Sequence, residues 1–188
     1  MKKLLFAIFA HPDDEAFGPS GTLLKETQAG TELHLLLLTN GDAGANPDNL
    51  DDLGAARLKE WRMAGTLMGA KDMHYFGYKD GQLTNQAMIE AGQRIIEHIT
   101  PIIQAASDDT IIEFLSNDLN GITGHIDHII AARIACHVFY SLKHDDARLE
   151  RIRLSCLPFQ DAPESNIHWL YMEAGRTPDE ITETVDAH

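Results

Sequence analysis

The chain has only two cysteines, Cys136 and Cys156, and no C-x-x-C pair. That excludes a zinc ribbon and a dithiol redox motif. It fits free thiols buried in the core of a protein from a reducing compartment. Basic residues are scarce: 15 Lys and Arg stand against 29 Asp and Glu, a formal net charge of −14. Such a surface argues against nucleic acid and anionic membrane as partners, since both need Lys/Arg patches. Long apolar runs are missing as well, and none approaches the ~20 residues of a membrane span. The apolar stretch after Met1-Lys2-Lys3 runs straight into His11-Pro12-Asp13-Asp14, without the small-residue cleavage site of a secretion signal. A cytoplasmic protein is expected. No G-x-G-x-x-G follows the first apolar run, which disfavours a dinucleotide-binding domain. Gly18-Pro19-Ser20-Gly21 does not satisfy G-x-S-x-G, so Ser20 is not read as a nucleophile.

What is present is an alternation of apolar runs and helix-period segments. Lys3–Phe9, Leu33–Thr39, Asp72–Phe76, Thr110–Leu115, Arg151–Leu157 and Ile167–Met172 read as strands. Gly18–Gln28, Asp51–Met68, Asn85–Ala106 and Asp127–Leu142 read as helices, with Pro101 expected to kink or split the third. In the second, Leu53, Leu58, Trp61, Ala64 and Leu67 form the expected buried stripe. The 188 residues fit one domain with an ordinary hydrophobic fraction of 44%. The implied class is α/β: a three-layer, doubly wound, Rossmann-like, mostly parallel sheet with helices on both faces.

Two clusters carry chemistry. His11, Asp13, Asp14 and Glu15 follow the first strand directly. His125, Asp127 and His128 follow the strand Thr110–Leu115 after a loop with two glycines. Ligands of doubly wound sheets bind at the carboxyl ends of strands, so both clusters should line one edge. A catalytic zinc site takes three N/O ligands and keeps one position open. His11, one of Asp13 and Asp14, and one of His125 and His128 would supply them. The remaining carboxylate would be a general base, and the remaining histidine a general acid or oxyanion stabiliser.

Ala10-His11-Pro12-Asp13-Asp14-Glu15, taken with Gly124-His125-Ile126-Asp127-His128, resembles the LmbE-like, PIG-L-type N-acetylglucosaminyl deacetylases. Thr39-Asn40-Gly41-Asp42-Ala43-Gly44, Arg57-x-x-Glu60 and Phe76-Gly77-Tyr78-Lys79-Asp80-Gly81 match further family loops. The resemblance implies one Zn2+ per chain held by His11, Asp14 and His128, with Fe2+, Mn2+ or Co2+ suiting the same donors. It implies Asp13 as general base and His125 as general acid, with Asp127 tuning the charge of His125. Arg57 and Asp80 would contact the sugar or aglycone, and Glu15 would organise the loop. The implied reaction removes acetyl from a small N-acetylglucosamine conjugate, giving acetate and a free amino sugar. A metal-dependent amidase acting on another amide, such as a thiol conjugate, is the alternative. An inactive metal- or sugar-binding module is a third reading, opposed by the intact Asp13 and His125. A homo-oligomer is compatible with all three.

The chain departs from the family in having Ile126 where Pro is common, and Gly18-Pro19-Ser20-Gly21 where a Gly-Gly pair opens the first helix. It is also shorter than typical members. Asp179–Val185 resembles the start of a closing helix without its continuation, as in a domain truncated at its C-terminus.

Overall fold

Burial along β1 (Lys3–Phe9) sets the architecture. Leu4, Phe6 and Ile8 belong to one core, and Leu5, Ala7 and Phe9 to another. Side chains alternate across a strand, so β1 is covered on both faces. β2 (Glu32–Thr39), β3 (Asp72–Tyr78), β4 (Ile111–Asn117) and β5 (Leu149–Ser155) join it in a five-stranded sheet of order β3-β2-β1-β4-β5. Every pairing is parallel. The computed structural model describes residues 2–161 and 175–186. The expected strand Ile167–Met172 lies outside these residues.

The helices are α1 (Asp14–Phe17), α2 (Ser20–Gln28), α3 (Leu53–Leu67), α4 (Asn85–Ala105), α5 (Gly121–Gly124) and α6 (Ile126–Lys143). On one face, Ile95 and Ile99 of α4 and Ile134 and Val138 of α6 share a core with Phe6 and Phe114. On the other, Leu23 of α2 and Trp61 of α3 pack with Leu35 and Leu37. Each such aliphatic side chain contributes ~1.5–3 kcal/mol by leaving water. The result is the expected three-layer, doubly wound fold. Among the described residues no helix is long and apolar enough to cross a membrane.

Several details differ from expectation. The helix expected over Gly18–Gln28 begins at Ser20, because Pro19 forces Gly18 out of helical geometry (φ −106°, ψ −88°) and leaves α1 as a separate turn. Leu67 is 80% exposed rather than buried. At that end of α3 the close approach to the sheet is made by Gly65, where the Met73 and Leu35 side chains fill the space a Cβ would need. Pro101 lies inside a single helix, Asn85–Ala105, and near its end it forfeits only one ladder bond. Cys136 and Cys156 are free thiols but half-buried, not core residues.

From β1 the sheet grows through β2 to β3 on one side and through β4 to β5 on the other. The switch point is therefore the gap between the carboxyl ends of β1 and β4, where such folds place their ligands.

Candidate metal centre

The chain leaves β1 through buried Ala10 and turns sharply at Asp13, a non-glycine residue at φ 107°, ψ −23°. Backbone in this region costs of order 1–3 kcal/mol and persists only where the surroundings enforce it. Asp14 is one such restraint. Its Oδ2 accepts the backbone N–H groups of Ala10 and His11, both at 3.1 Å. Its Oδ1 lies 3.1 Å from His128 Nε2. After β4 the loop turns through Gly121 (φ 74°), Ile122 (φ 60°, ψ −61°) and Gly124 (φ 76°). Ile122 occupies the strained γ-turn region, which is unusual for a β-branched residue. His125 then caps α6, its Nδ1 accepting the Asp127 N–H at 3.2 Å. His128 sits in the first turn of α6.

His11 Nδ1 and His128 Nε2 face each other at 3.0 Å. The far nitrogen of each ring fixes its tautomer. His11 Nε2 donates to Asp80 Oδ1 at 2.8 Å, and His128 Nδ1 donates to the Gly121 carbonyl at 3.0 Å. In their neutral forms both rings therefore turn a lone pair toward the same point, beside the Asp14 carboxylate. Lone pairs so placed repel. A metal ion between them relieves this, as does a proton on His128 Nε2: burial opposes that proton, but the adjacent Asp14 outweighs burial and raises the His128 pKa. A tetrahedral ion with bonds of ~2.0–2.1 Å has ligand atoms about 3.3 Å apart, close to what is found here. His11 and His128 are thus placed to share a divalent metal, with Asp14 against His128 and His125 within reach of both rings.

Two groups of side chains here could hold a metal ion. His11, His125 and His128 have ligand atoms within 4.8 Å of one another, as do His11, Asp80 and Asp127. The second group is already engaged by the protein. Asp80 Oδ2 accepts from Ala43 N at 2.8 Å, and Asp127 accepts from Gly81 N at 2.8 Å and Leu83 N at 3.1 Å. These carboxylates read as supports for His11 and its loops, the usual outer layer of a histidine metal site.

Seven of the eight expected site residues line one crevice and Asp127 is buried behind it against His11, with several contacts that the sequence did not indicate. Arg57 donates to Asp13 Oδ2 at 2.8 Å and to the carbonyls of Pro12 and Gly41, both at 2.7 Å. Asp127 meets His125 through its backbone N–H, while its carboxylate lies 3.4 Å from His11 Nε2. Burial raises the Asp13 pKa above the ordinary carboxylate value, with Arg57 opposing. Burial, and then the charges of His11 and His128, lower the His125 pKa, with Asp127 opposing. Burial pushes Glu15 up to about 7, helped by the charges of Asp14 and Asp13 and opposed by backbone N–H bonds. Glu15 Oε2 accepts the Asp13 N–H at 3.2 Å, which fits a loop-organising place.

The crevice opens into a cavity of about 560 Å3. Beyond the polar cluster its walls include Phe17, Ile122, Cys156, Leu157 and Pro158. The last three, just past the end of β5, carry no motif that marks them as site residues; only the position of a strand end on this edge would have pointed to them.

Residues 6–139 match the family described as PIG-L: GlcNAc-PI de-N-acetylase. The chain belongs to this family. It is 34% identical over 102 residues to a "Probable N-acetyl-alpha-D-glucosaminyl L-malate deacetylase 2" of Bacillus anthracis, a match over 50% of this chain and 45% of the relative. It is 27% identical over 152 residues to the 1D-myo-inositol 2-acetamido-2-deoxy-alpha-D-glucopyranoside deacetylase of Geodermatophilus obscurus, over 70% of this chain and 51% of the relative. The chain thus spans about half the length of these curated relatives. The N,N'-diacetylchitobiose deacetylase of Pyrococcus horikoshii shares the fold, with a TM-score of 0.62 at 21% identity over 81% of this chain and 60% of that one. The region matched to the family thus contains a His/Asp cluster that could hold a divalent metal.

Proposed function

We propose that the chain hydrolyses the N-acetyl group of a small N-acetylglucosamine conjugate, using one Zn2+ held by His11, Asp14 and His128. The observation that carries this reading is the pair of histidine nitrogens 3.0 Å apart beside Asp14, with Asp13 next in sequence. The deacetylase names of the relatives supply the substrate class; the malate- and inositol-linked amino sugars and diacetylchitobiose are the first candidates.

When bound, the ion would polarise the acetyl carbonyl and bring the pKa of a water to about 7. The remaining work falls to the chain. Asp13 has one oxygen on Arg57, while Oδ1 has no partner among the described residues. Oδ1 is therefore the atom that takes a proton from the attacking water. Asp13's raised pKa suits it to keep that proton and return it to the leaving amine. His125 accepts at Nδ1, so its neutral ring carries a proton on Nε2, available to the developing oxyanion. Its lowered pKa favours this donor role over that of a cationic acid. Asp80 and Asp127 would hold His11 in place rather than touch the sugar.

The test is primary-amine release from a panel of N-acetylglucosamine conjugates, using chelator-treated protein with and without added Zn2+. Zinc-dependent release that is lost in His128→Ala supports the reading. Stoichiometric zinc binding with no release from any conjugate overturns it.

A further inference from the structure

We propose that Arg57 is a positioning residue: it holds Asp13 as a base and keeps that carboxylate from joining Asp14 as a metal ligand. The proposal rests on the hydrolase reading of the site. Asp13 and Asp14 are chemically identical neighbours, and a metal site needs them in different roles. A carboxylate that enters the donor set can no longer take a proton from water.

What separates them is their bonding. Asp14 Oδ2 is tied to two backbone N–H groups, which leaves Oδ1 aimed at His128. Asp13 Oδ2 is tied to Arg57 Nη2 at 2.8 Å, and the same nitrogen donates to Pro12 O at 2.7 Å. Both Nη2 protons are thus committed to the β1–α1 turn. Nη1 reaches across to Gly41 O on the β2–α3 loop at 2.7 Å. One planar guanidinium therefore clamps the strained Asp13 turn to a second strand end. The ammonium of a lysine, a point charge on a flexible stem, would not reproduce such a fork. Gly41 is part of the device. At φ 69° it favours glycine, and a Cβ there would overlap Arg57 Nη1.

The experiment compares Arg57→Ala, Arg57→Lys and Gly41→Ala with the unmodified chain. Each protein is loaded with Co2+ in place of Zn2+ and read by its visible absorption, by metal dissociation and by kcat and KM. Expected for Arg57→Ala is a kcat loss of about 100-fold, the lower range for a lost general base, with KM within about threefold. Its cobalt band should weaken as Asp13 adds a ligand, and metal release should slow. Gly41→Ala should reproduce both changes although Arg57 is present. Arg57→Lys should recover part of kcat and stay at least about tenfold below the unmodified chain. If Gly41→Ala does not fold, Arg57→Lys decides. The proposal is overturned if KM rises with kcat within about threefold, since Arg57 would then contact substrate. It is equally overturned if the cobalt spectrum and metal release are unchanged in Arg57→Ala. Should the unmodified chain cleave no amide, the hydrolase reading fails, and the cobalt spectra still decide whether Arg57 keeps Asp13 off the ion.

Discussion

Asp80 separates two accounts of this site. Resemblance to the family makes it a sugar contact, whereas its bonding makes it the support of His11. The informative change is Asp80→Asn, which keeps shape and removes one acceptor. The carboxylate now serves two donors, His11 Nε2 at 2.8 Å and Ala43 N at 2.8 Å, with its side chain only 6% exposed. An asparagine offers a single carbonyl oxygen, so one of those donors must face its NH2 group. A hydrogen bond to a charged group contributes about 1.5–3 kcal/mol. If His11 loses it, the ring no longer prefers the tautomer with a free Nδ1, and metal affinity should fall 10–100-fold. That factor corresponds to about 1.4–2.8 kcal/mol, in line with the value of the lost bond. Competition against a coloured chelator measures the affinity directly, and activity at saturating metal should be largely recovered. Metal affinity within twofold of the unmodified chain, together with a tenfold higher KM, would refute the argument and restore Asp80 to the sugar.

His125→Ala should keep stoichiometric metal and lose about 10²–10³ in kcat, as for other removed oxyanion donors; loss of the metal itself would instead make His125 the third ligand. Phe114→Ala, with Phe114 fully buried between Phe6 and Phe139, should cost about 3–5 kcal/mol in urea unfolding. Burial raises the pKa of Glu26, but bonds from Lys3, Thr31 and Arg153 outweigh it and leave the carboxyl below its ordinary value of 4.5. Its contribution is then complete above that value and is lost as pH falls through the lower folded-state value. Glu26→Gln should therefore flatten the acid arm of the stability curve by about 1 kcal/mol, read from urea midpoints between about pH 5 and pH 3.

β1, β2 and β4 are legible in the sequence because a strand covered on both faces must be apolar at nearly every position, and few other segments are. The two clusters, one from His11 to Glu15 and one from His125 to His128, are legible because each follows a strand end; the choice of Asp14 over Asp13 and of His128 over His125 as ligands comes only from the family resemblance. The partners of Arg57 and Asp80 are not. Those bonds join loops from three strand ends, and which ends meet depends on the sheet order, which local patterns do not encode. A weaker clue was available: a ligating histidine usually gives its other N–H to a carboxylate or a backbone carbonyl, and Asp80 follows β3 on the same edge. Asp127 was read against its near neighbour His125, yet its carboxylate is drawn to the free N–H groups of Gly81 and Leu83. Leu67 misled because helix periodicity assigns a face without showing where the glycines let the backbone sink.

The two halves of the proposed donor set are carried on different kinds of backbone. His11 and Asp14 hang from the central strand, whose amides should exchange with solvent only on global opening. His128 is reached through Gly121, Ile122 and Gly124, three positive-φ residues within a stretch of four. The crevice therefore has one jaw hung from the central strand and one carried on a tightly turned loop. A cation that closes it does little for β1, and most of the ordering it brings falls on residues 118–128. Metal loading should slow hydrogen exchange in that loop while leaving β1 as it was, so the most informative reporter of occupancy lies beside the ligands, in a stretch that supplies few of them.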